Sequence, residues 1–210
     1  MKINIKKTKS MLFNTARARD FTPELTIEGE QVELVEEMKL LGVIISSDLK
    51  WNLNTQYITK RGYSKIWMIR RLKSHGVNQN ELVDIYIKHV RSVMENSAAV
   101  WHSGLTQINN TDIERVQKAA FSIILGKQYK SYENALLTLN MEKLNDRRES
   151  ICLKFAQKSY KSEKFSSWFV PDYKAINTRR KLKNVKVVGT RTARFEKSAL
   201  PYLTKIINKN

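Results

Sequence analysis

The sequence predicts an α+β fold, mostly α. Apolar residues follow a strand-like pattern up to Ser47, and after Trp51 their period changes from two to 3.6. Two capping boxes in the later part, Asn78 with Glu81 and Thr111 with Glu114, mark helix starts. Basic residues crowd the stretch from Pro171 to Asn210, where only Asp172 and Glu196 oppose them. These patterns divide the chain into a strand-rich part over residues 1–47, a helical bundle over 48–160 and a basic C-terminal extension over 161–210.

The strands come first. Met11-Leu12-Phe13 follows the basic stretch Lys6-Lys7-Thr8-Lys9. Leu25-Thr26-Ile27 alternates, Glu28-Gly29-Glu30 signals a turn, and Val32 to Val35 answers as the hairpin partner. Leu40 to Ile45 is an apolar run interrupted by Gly42, where a bulge, a close backbone approach or simply a structural bend accounts for the glycine. Glu36-Glu37 reads as a solvated pair.

The helices follow. Ile58, Gly62, Ile66, Ile69 and Leu72 fall on one arc, with Lys60, Arg61 and Arg71 opposite and Lys65 breaking the pattern. His75-Gly76 ends that helix. The next is expected from Asn78 to about Trp101, with Leu82, Tyr86, Val90, Val93 and Met94 inward. A third starts at Thr111, carries Ile113, Val116, Ala120 and Ile123 inward and stops at Gly126. Short and long helices are expected near residues 132–139 and 142–160, the last with Leu144, Ile151 and Phe155 inward. From Pro171 onward eleven basic residues face two acidic ones, a composition that predicts a surface segment or one laid on a polyanion, although Ser198 to Ile207 regains apolar content as a terminal helix or an ordered hook would.

Lys and Arg total 38 against 20 acidic residues, a formal charge of +18. Such a field draws polyanions, and nucleic acid is the first partner to expect. The cations interleave with rings: Tyr57, Tyr63 and Trp67 stand among Lys60, Arg61, Lys65, Arg70, Arg71 and Lys73, and Tyr173 precedes Arg179, Arg180, Lys181 and Lys183. Cations hold phosphates and rings can stack bases. Trp51, Trp67 and Trp101 nevertheless read as core residues, and the cations carry the functional expectation.

Other chemistries find no support in the residues. Cys152 is the one cysteine, expected as a packed thiol, and the scattered His75, His89 and His102 match no zinc spacing. No apolar run is long enough for a membrane span, so no membrane partner is expected. Two-metal phosphoryl transfer needs carboxylates that clamp two cations, and the chain has no adjacent Asp-Asp pair.

An ordered set of segments resembles the reverse transcriptases of LINE-type, non-long-terminal-repeat retrotransposons, of the jockey-like or a related animal clade. Asn4 to Phe13 looks like the palm segment after the catalytic aspartates. Lys39-Leu40-Leu41-Gly42-Val43 looks like the primer-grip turn, and Asp48-Leu49-Lys50-Trp51 like the start of the thumb. Residues 70–73, 91–95, 100–102, 113–118 and 146–149 follow in the family's order, and Ser198 to Leu203 resembles its closing stretch.

The resemblance implies the end of a palm, a helical thumb and a basic extension of an RNA-directed DNA polymerase. Fingers and catalytic aspartates are expected upstream of Met1. It makes Lys7 the palm lysine near the incoming nucleotide's phosphates, Leu41 and Gly42 the primer grip, and the helix from about Asn54 to Lys73 the element against the template–primer duplex. No catalytic residue is expected within the chain, and no cofactor, since Mg2+ belongs with the missing palm. Nucleic acid, an RNA–DNA or other duplex, is the expected partner, with the missing fingers and palm as a second. Two alternatives are a stand-alone basic nucleic-acid-binding or scaffolding module, and a partial enzyme completed in trans. An intracellular setting, nuclear or cytoplasmic, accommodates each of them.

Overall fold

The structure, a computed structural model, describes residues 4–13, 24–171 and 185–209. It is 63% helix and 9% strand, with small strand pairs first and helices after them. The chain divides into two compact units, Met1–Tyr57 and Ile58–Asn210.

In the first unit the strands pair as three separate two-stranded ladders. β1 (Lys9–Ser10) runs parallel to β4 (Glu33–Leu34), while β2 (Thr26–Ile27) and β3 (Glu30–Gln31) form a hairpin across Glu28-Gly29. The turn falls where the sequence predicts it, but the partner of β2 is Glu30-Gln31. Val32 and Val35 instead donate their amides to Leu25 and Ser10. Met11 to Phe13 is not strand.

β5 (Glu37–Leu40) pairs antiparallel with β6 (Val43–Ser46). The run Leu40 to Ile45 is therefore a hairpin turned at Leu41-Gly42, not one strand with a bulge. Leu41 and Gly42 both have positive φ, 48° and 87°, as the primed two-residue hairpin turns require. Beyond the hairpin, the side chain of Ser46 donates to Asp48 at 2.6 Å, and Asp48 accepts from the Lys50 amide at 3.0 Å. The Ser46 bond is the main reason the Asp48 carboxyl titrates below its ordinary range, with the bonds and charge of Lys50 adding to it.

Helix α1 (Asn52–Ser74) begins in the first unit and continues in the second. Of the predicted apolar arc Ile58, Gly62, Ile66 and Ile69 are buried and Leu72 is half-buried, and the first turn also buries Asn54 and Thr55. Gly62 lies where a Cβ would come within 2.8 Å of Val116 and 2.9 Å of Met94. The glycine leaves room for Val116 and Met94 to pack against the α1 backbone, and a larger residue would force those side chains to shift.

α2 (Gln79–Ile85) starts at the predicted Asn78 cap, whose side chain accepts from the Glu81 amide at 3.0 Å. It passes into a π-helical stretch, Tyr86–Arg91, and then α3 (Ser92–Glu95). The buried residues Leu82, Tyr86, Val90 and Met94 recur every four positions. Four residues overshoot an α-turn of about 3.6, and the wider π-turn takes up the drift. The helix does not reach Trp101 unbroken. Asn96 is extended and Ser97 left-handed, with φ 53°, and α4 (Ala98–Trp101) restarts beyond them. The Trp101 indole donates back to the Asn96 carbonyl at 2.9 Å and holds the break.

α5 (Gln107–Leu125) starts four residues before the predicted Thr111, because Thr106 caps it by accepting from the Asn109 amide at 3.2 Å. Thr111 instead donates to the Gln107 carbonyl, and Glu114 is drawn into a polar network inside the bundle. α6 (Tyr132–Thr138) and α7 (Leu144–Tyr160) complete the predicted helices. The buried side of α7 is Leu144, Arg148, Cys152, Ala156 and Ser159. Of the three residues expected inward, Leu144 is buried, Ile151 is partly covered and Phe155 is exposed. Arg147 joins the bundle through ion pairs to Glu95 and Glu142.

The end of the chain does contribute to a core. α8 (Ala193–Glu196) precedes α9 (Ala199–Ile207), and Leu203, Ile206 and Ile207 cluster with Val185, Phe169, Cys152 and Ala156. The apolar stretch Ser198 to Ile207 marks the terminal helix in the sequence, while the charge of the segment as a whole points to the surface and away from a core. Asn208 fastens it further, accepting from the Val185 amide at 3.1 Å and donating to the Val185 carbonyl at 2.7 Å. Among the described residues, no helix is long and apolar enough to cross a membrane.

Candidate nucleic-acid interface on the first long helix

Between Asn52 and Ser74 the chain has six cations and no acidic residue. With Ile58, Gly62, Ile66 and Ile69 turned into the bundle, the opposite arc is left to solvent. Lys60, Tyr63, Trp67, Arg70 and Arg71 are all exposed, and at about 3.6 residues per turn they fall within roughly 100° of one another. None of Lys60, Lys65, Arg70 and Arg71 forms an ion pair with a described residue. The Arg71 guanidinium lies 4.9 Å from the centre of the Trp67 ring. Arg61 is exposed on the edge of the arc, and Lys65 is half-buried.

Lys73 differs from the other cations. Its ammonium donates to the carbonyls of Ile123 and, at 3.0 Å, Ile124. These are among the last acceptors of α5, where a cation is favoured by the helix dipole. Lys73 therefore has a structural partner in place.

Trp67 corrects an expectation. It is 57% exposed and Tyr63 is 46% exposed, whereas Trp101 is fully buried and Trp51 half-buried. The helical position of Trp67 would have shown this: it lies one residue beyond Ile66 and four beyond Tyr63, off the Ile58–Gly62–Ile66–Ile69 arc. Of the three tryptophans assigned to the core, this one faces solvent.

In the first unit, Lys7 is exposed on a 3₁₀ turn, Ile5–Lys7, and its amide is 3.3 Å from the Asn4 side-chain oxygen. The Leu41-Gly42 turn is a hairpin tip on which Leu41 is 91% exposed. A left-handed leucine costs about 1–2 kcal/mol. Leu41→Asn should thus stabilise the chain by about 1 kcal/mol, read as a higher urea midpoint with unchanged slope; a lower midpoint would show that Leu41 makes contacts worth more than its strain. Glu36 and Glu37 are exposed, as expected of a solvated pair. Both line a cleft of about 410 Å³ with Ser46, Asp48, Lys50 and Leu53. Among the described residues no group of His, Cys, Asp or Glu side chains could hold a metal ion.

Arg179, Arg180, Lys181 and Lys183 lie outside the described residues. Cys152 is buried, and burial pushes its thiol up to about 12, as expected of a packed side chain rather than a nucleophile.

Fold and site together describe a helical protein with a cationic, ring-bearing helix face. Compared with protein-family models, curated proteins and solved structures, the chain matches none of them.

Proposed function

We propose that this chain is the C-terminal part of a LINE-type reverse transcriptase and that its own activity is sequence-indifferent binding of template–primer duplex, without polymerisation. The observation that carries the reading is the acid-free, solvent-facing arc of α1, where Lys60, Arg70 and Arg71 form no ion pair among the described residues. Cations so placed are available to phosphates, and their binding is driven by release of counterions. The ordered resemblance of the segments supplies the family. The exposed Leu41-Gly42 hairpin tip agrees with a primer-grip role, since a strained, exposed apolar residue is better explained by a contact than by stability. The lack of an Asp-Asp pair is why binding, not catalysis, is proposed for the chain by itself.

A salt series tests it. With three to four phosphate contacts, affinity for a mixed-sequence RNA–DNA duplex should fall roughly a hundredfold between about 50 and 200 mM salt. Arg70→Gln should reduce the logarithmic slope by about one, equally for unrelated sequences. A flat salt response, or no binding at low salt, would sink the reading.

A second reading, a stand-alone nucleic-acid-binding module, is favoured by the α7–α9 cluster that ties the chain's end into the second unit. Primer extension after adding a separate fingers–palm half distinguishes the two. Activity supports the polymerase origin, and its absence alongside tight binding favours the module.

A further inference from the structure

We infer that the exposed ladder Tyr63–Trp67–Arg71 stacks unpaired bases, so that this face of α1 selects single-stranded nucleic acid, or a duplex with an overhang, over a blunt duplex. The inference rests on the nucleic-acid reading above and narrows its substrate. The three residues are spaced at four-residue intervals, so they form a row along the helix, each about 6 Å further along the axis. All three are planar groups, and all three are exposed. Arg71 lies 4.9 Å from the Trp67 ring centre, the geometry of a cation–π pair, so the outer rung is already ordered against the middle one. Lys60 and Arg70 flank the row and are free of acidic partners among the described residues.

The occupant follows from charge and shape together. The arc carries only positive charge, which favours a polyanion over a basic or neutral protein surface. Phosphates need only the cations, and a duplex would satisfy those. The rings add something a duplex cannot use, because its bases are already stacked on one another and present only edges and backbone. An unpaired base offers a free face, and stacking on an aromatic ring is indifferent to sequence. Tyr63 and Trp67 are large apolar surfaces that folding leaves in water, and a base is the partner that both the rings and the surrounding cations fit.

Binding of a fluorescent single strand and of a blunt duplex of equal length, at one salt concentration, tests the proposal with the full chain. The wild-type protein should prefer the single strand by about tenfold, and Trp67→Ala should lose about tenfold on it while staying within about twofold on the duplex. The slope of affinity against salt should not change, since no charge is removed. Trp67→Phe should recover most of the loss. Of the four tryptophans, Trp67 should account for the emission quenched by the single strand, and that quenching should vanish in Trp67→Phe. Equal loss on both ligands, or none on either, overturns the proposal and leaves the salt-dependent binding standing. Loss of salt-dependent binding by the wild-type protein overturns the parent reading instead. If Trp67→Ala abolishes a concentration-dependent self-association, the ladder covers a second copy of the chain and the proposal also fails.

Discussion

Gln117→Leu should lower the free energy of unfolding by about 3–5 kcal/mol, a large part of the margin by which a domain is stable. Gln117 is fully buried on α5 and is the hub of a closed set of hydrogen bonds. Its side-chain oxygen accepts from the Tyr86 hydroxyl, and its amide nitrogen donates to the Tyr132 oxygen at 2.7 Å and the Glu142 carbonyl at 2.9 Å. Tyr132 in turn donates to Glu114, whose other oxygen accepts from the Asn145 amide at 2.7 Å. One side chain thus ties the π-helical stretch, α5, α6 and the start of α7 together. Burial, the first cause in each case, raises the titration of both phenols well above the ordinary range, so both stay neutral and need partners.

Leucine fills much of the same volume and can supply none of the bonds. Tyr86 is left with a buried hydroxyl and no acceptor, and the Glu142 carbonyl loses its donor. Each orphaned group costs about 1–3 kcal/mol. Adding Tyr86→Phe to Gln117→Leu removes one orphan and should return about 1–2 kcal/mol, because deleting both partners of a hydrogen bond is far cheaper than deleting one. Urea unfolding of the single and double variants reads this directly. A Gln117→Leu chain within about 1 kcal/mol of the parent would mean that the network contributes nothing to stability.

The network also shows how far the sequence could be read. Tyr86 was legible as an inward residue from its spacing with Leu82 and Val90, but its polar partner was not. Gln117 lies 31 positions away on a different helix, and no local pattern announces that it is buried. Glu114 is a sharper case, because three residues after Thr111 it reads as half of a capping box. Thr106 had already started the helix, which freed that carboxylate for the interior.

Similar reasons apply elsewhere. The α1 arc was legible because four apolar positions repeat at helical spacing and nothing acidic interrupts the far side. Trp67 was misjudged by residue type, although its place on the helix pointed outward. Leucine is a poor turn residue, so by local pattern Leu40 to Ile45 looked like one strand, and only the resemblance of residues 39–43 to a primer-grip turn pointed to the hairpin tip at Leu41-Gly42. Arg148 is fully buried at the centre of the α7 inner face, where periodicity would place a leucine. No single-sequence rule assigns a guanidinium to a core unless its partners are known.

Those partners make the chain sensitive to acid. The Arg148 Nε donates to His102 Nδ1 at 3.4 Å, one terminal nitrogen donates to the Asn110 oxygen at 3.0 Å, and the guanidinium lies 5.8 Å from the Trp101 ring centre. Its other terminal nitrogen has no partner among the described residues. Glu114 and Glu95 supply the nearby negative charge without touching it. An imidazole that accepts from a cation has to be neutral. Burial, and then the charge of Arg148, bring His102 down to about 4 from an ordinary 6.5. Above pH 6.5 the ring is neutral in both folded and unfolded chains and its contribution is complete. Below that, the unfolded chain takes up a proton that the folded chain refuses, so stability falls as pH falls. The window runs from 6.5 to about 4, and the loss across it should be about 3 kcal/mol at 1.36 kcal/mol per unit. Asp48, held low mainly by its Ser46 bond, titrates below this window and does not mask it. His102→Asn keeps an acceptor near the position of Nδ1 and removes the titration, so its unfolding free energy should change little between pH 6.5 and 4. If the parent and the variant lose stability in parallel over that range, the His102–Arg148 contact is not what couples this fold to acid.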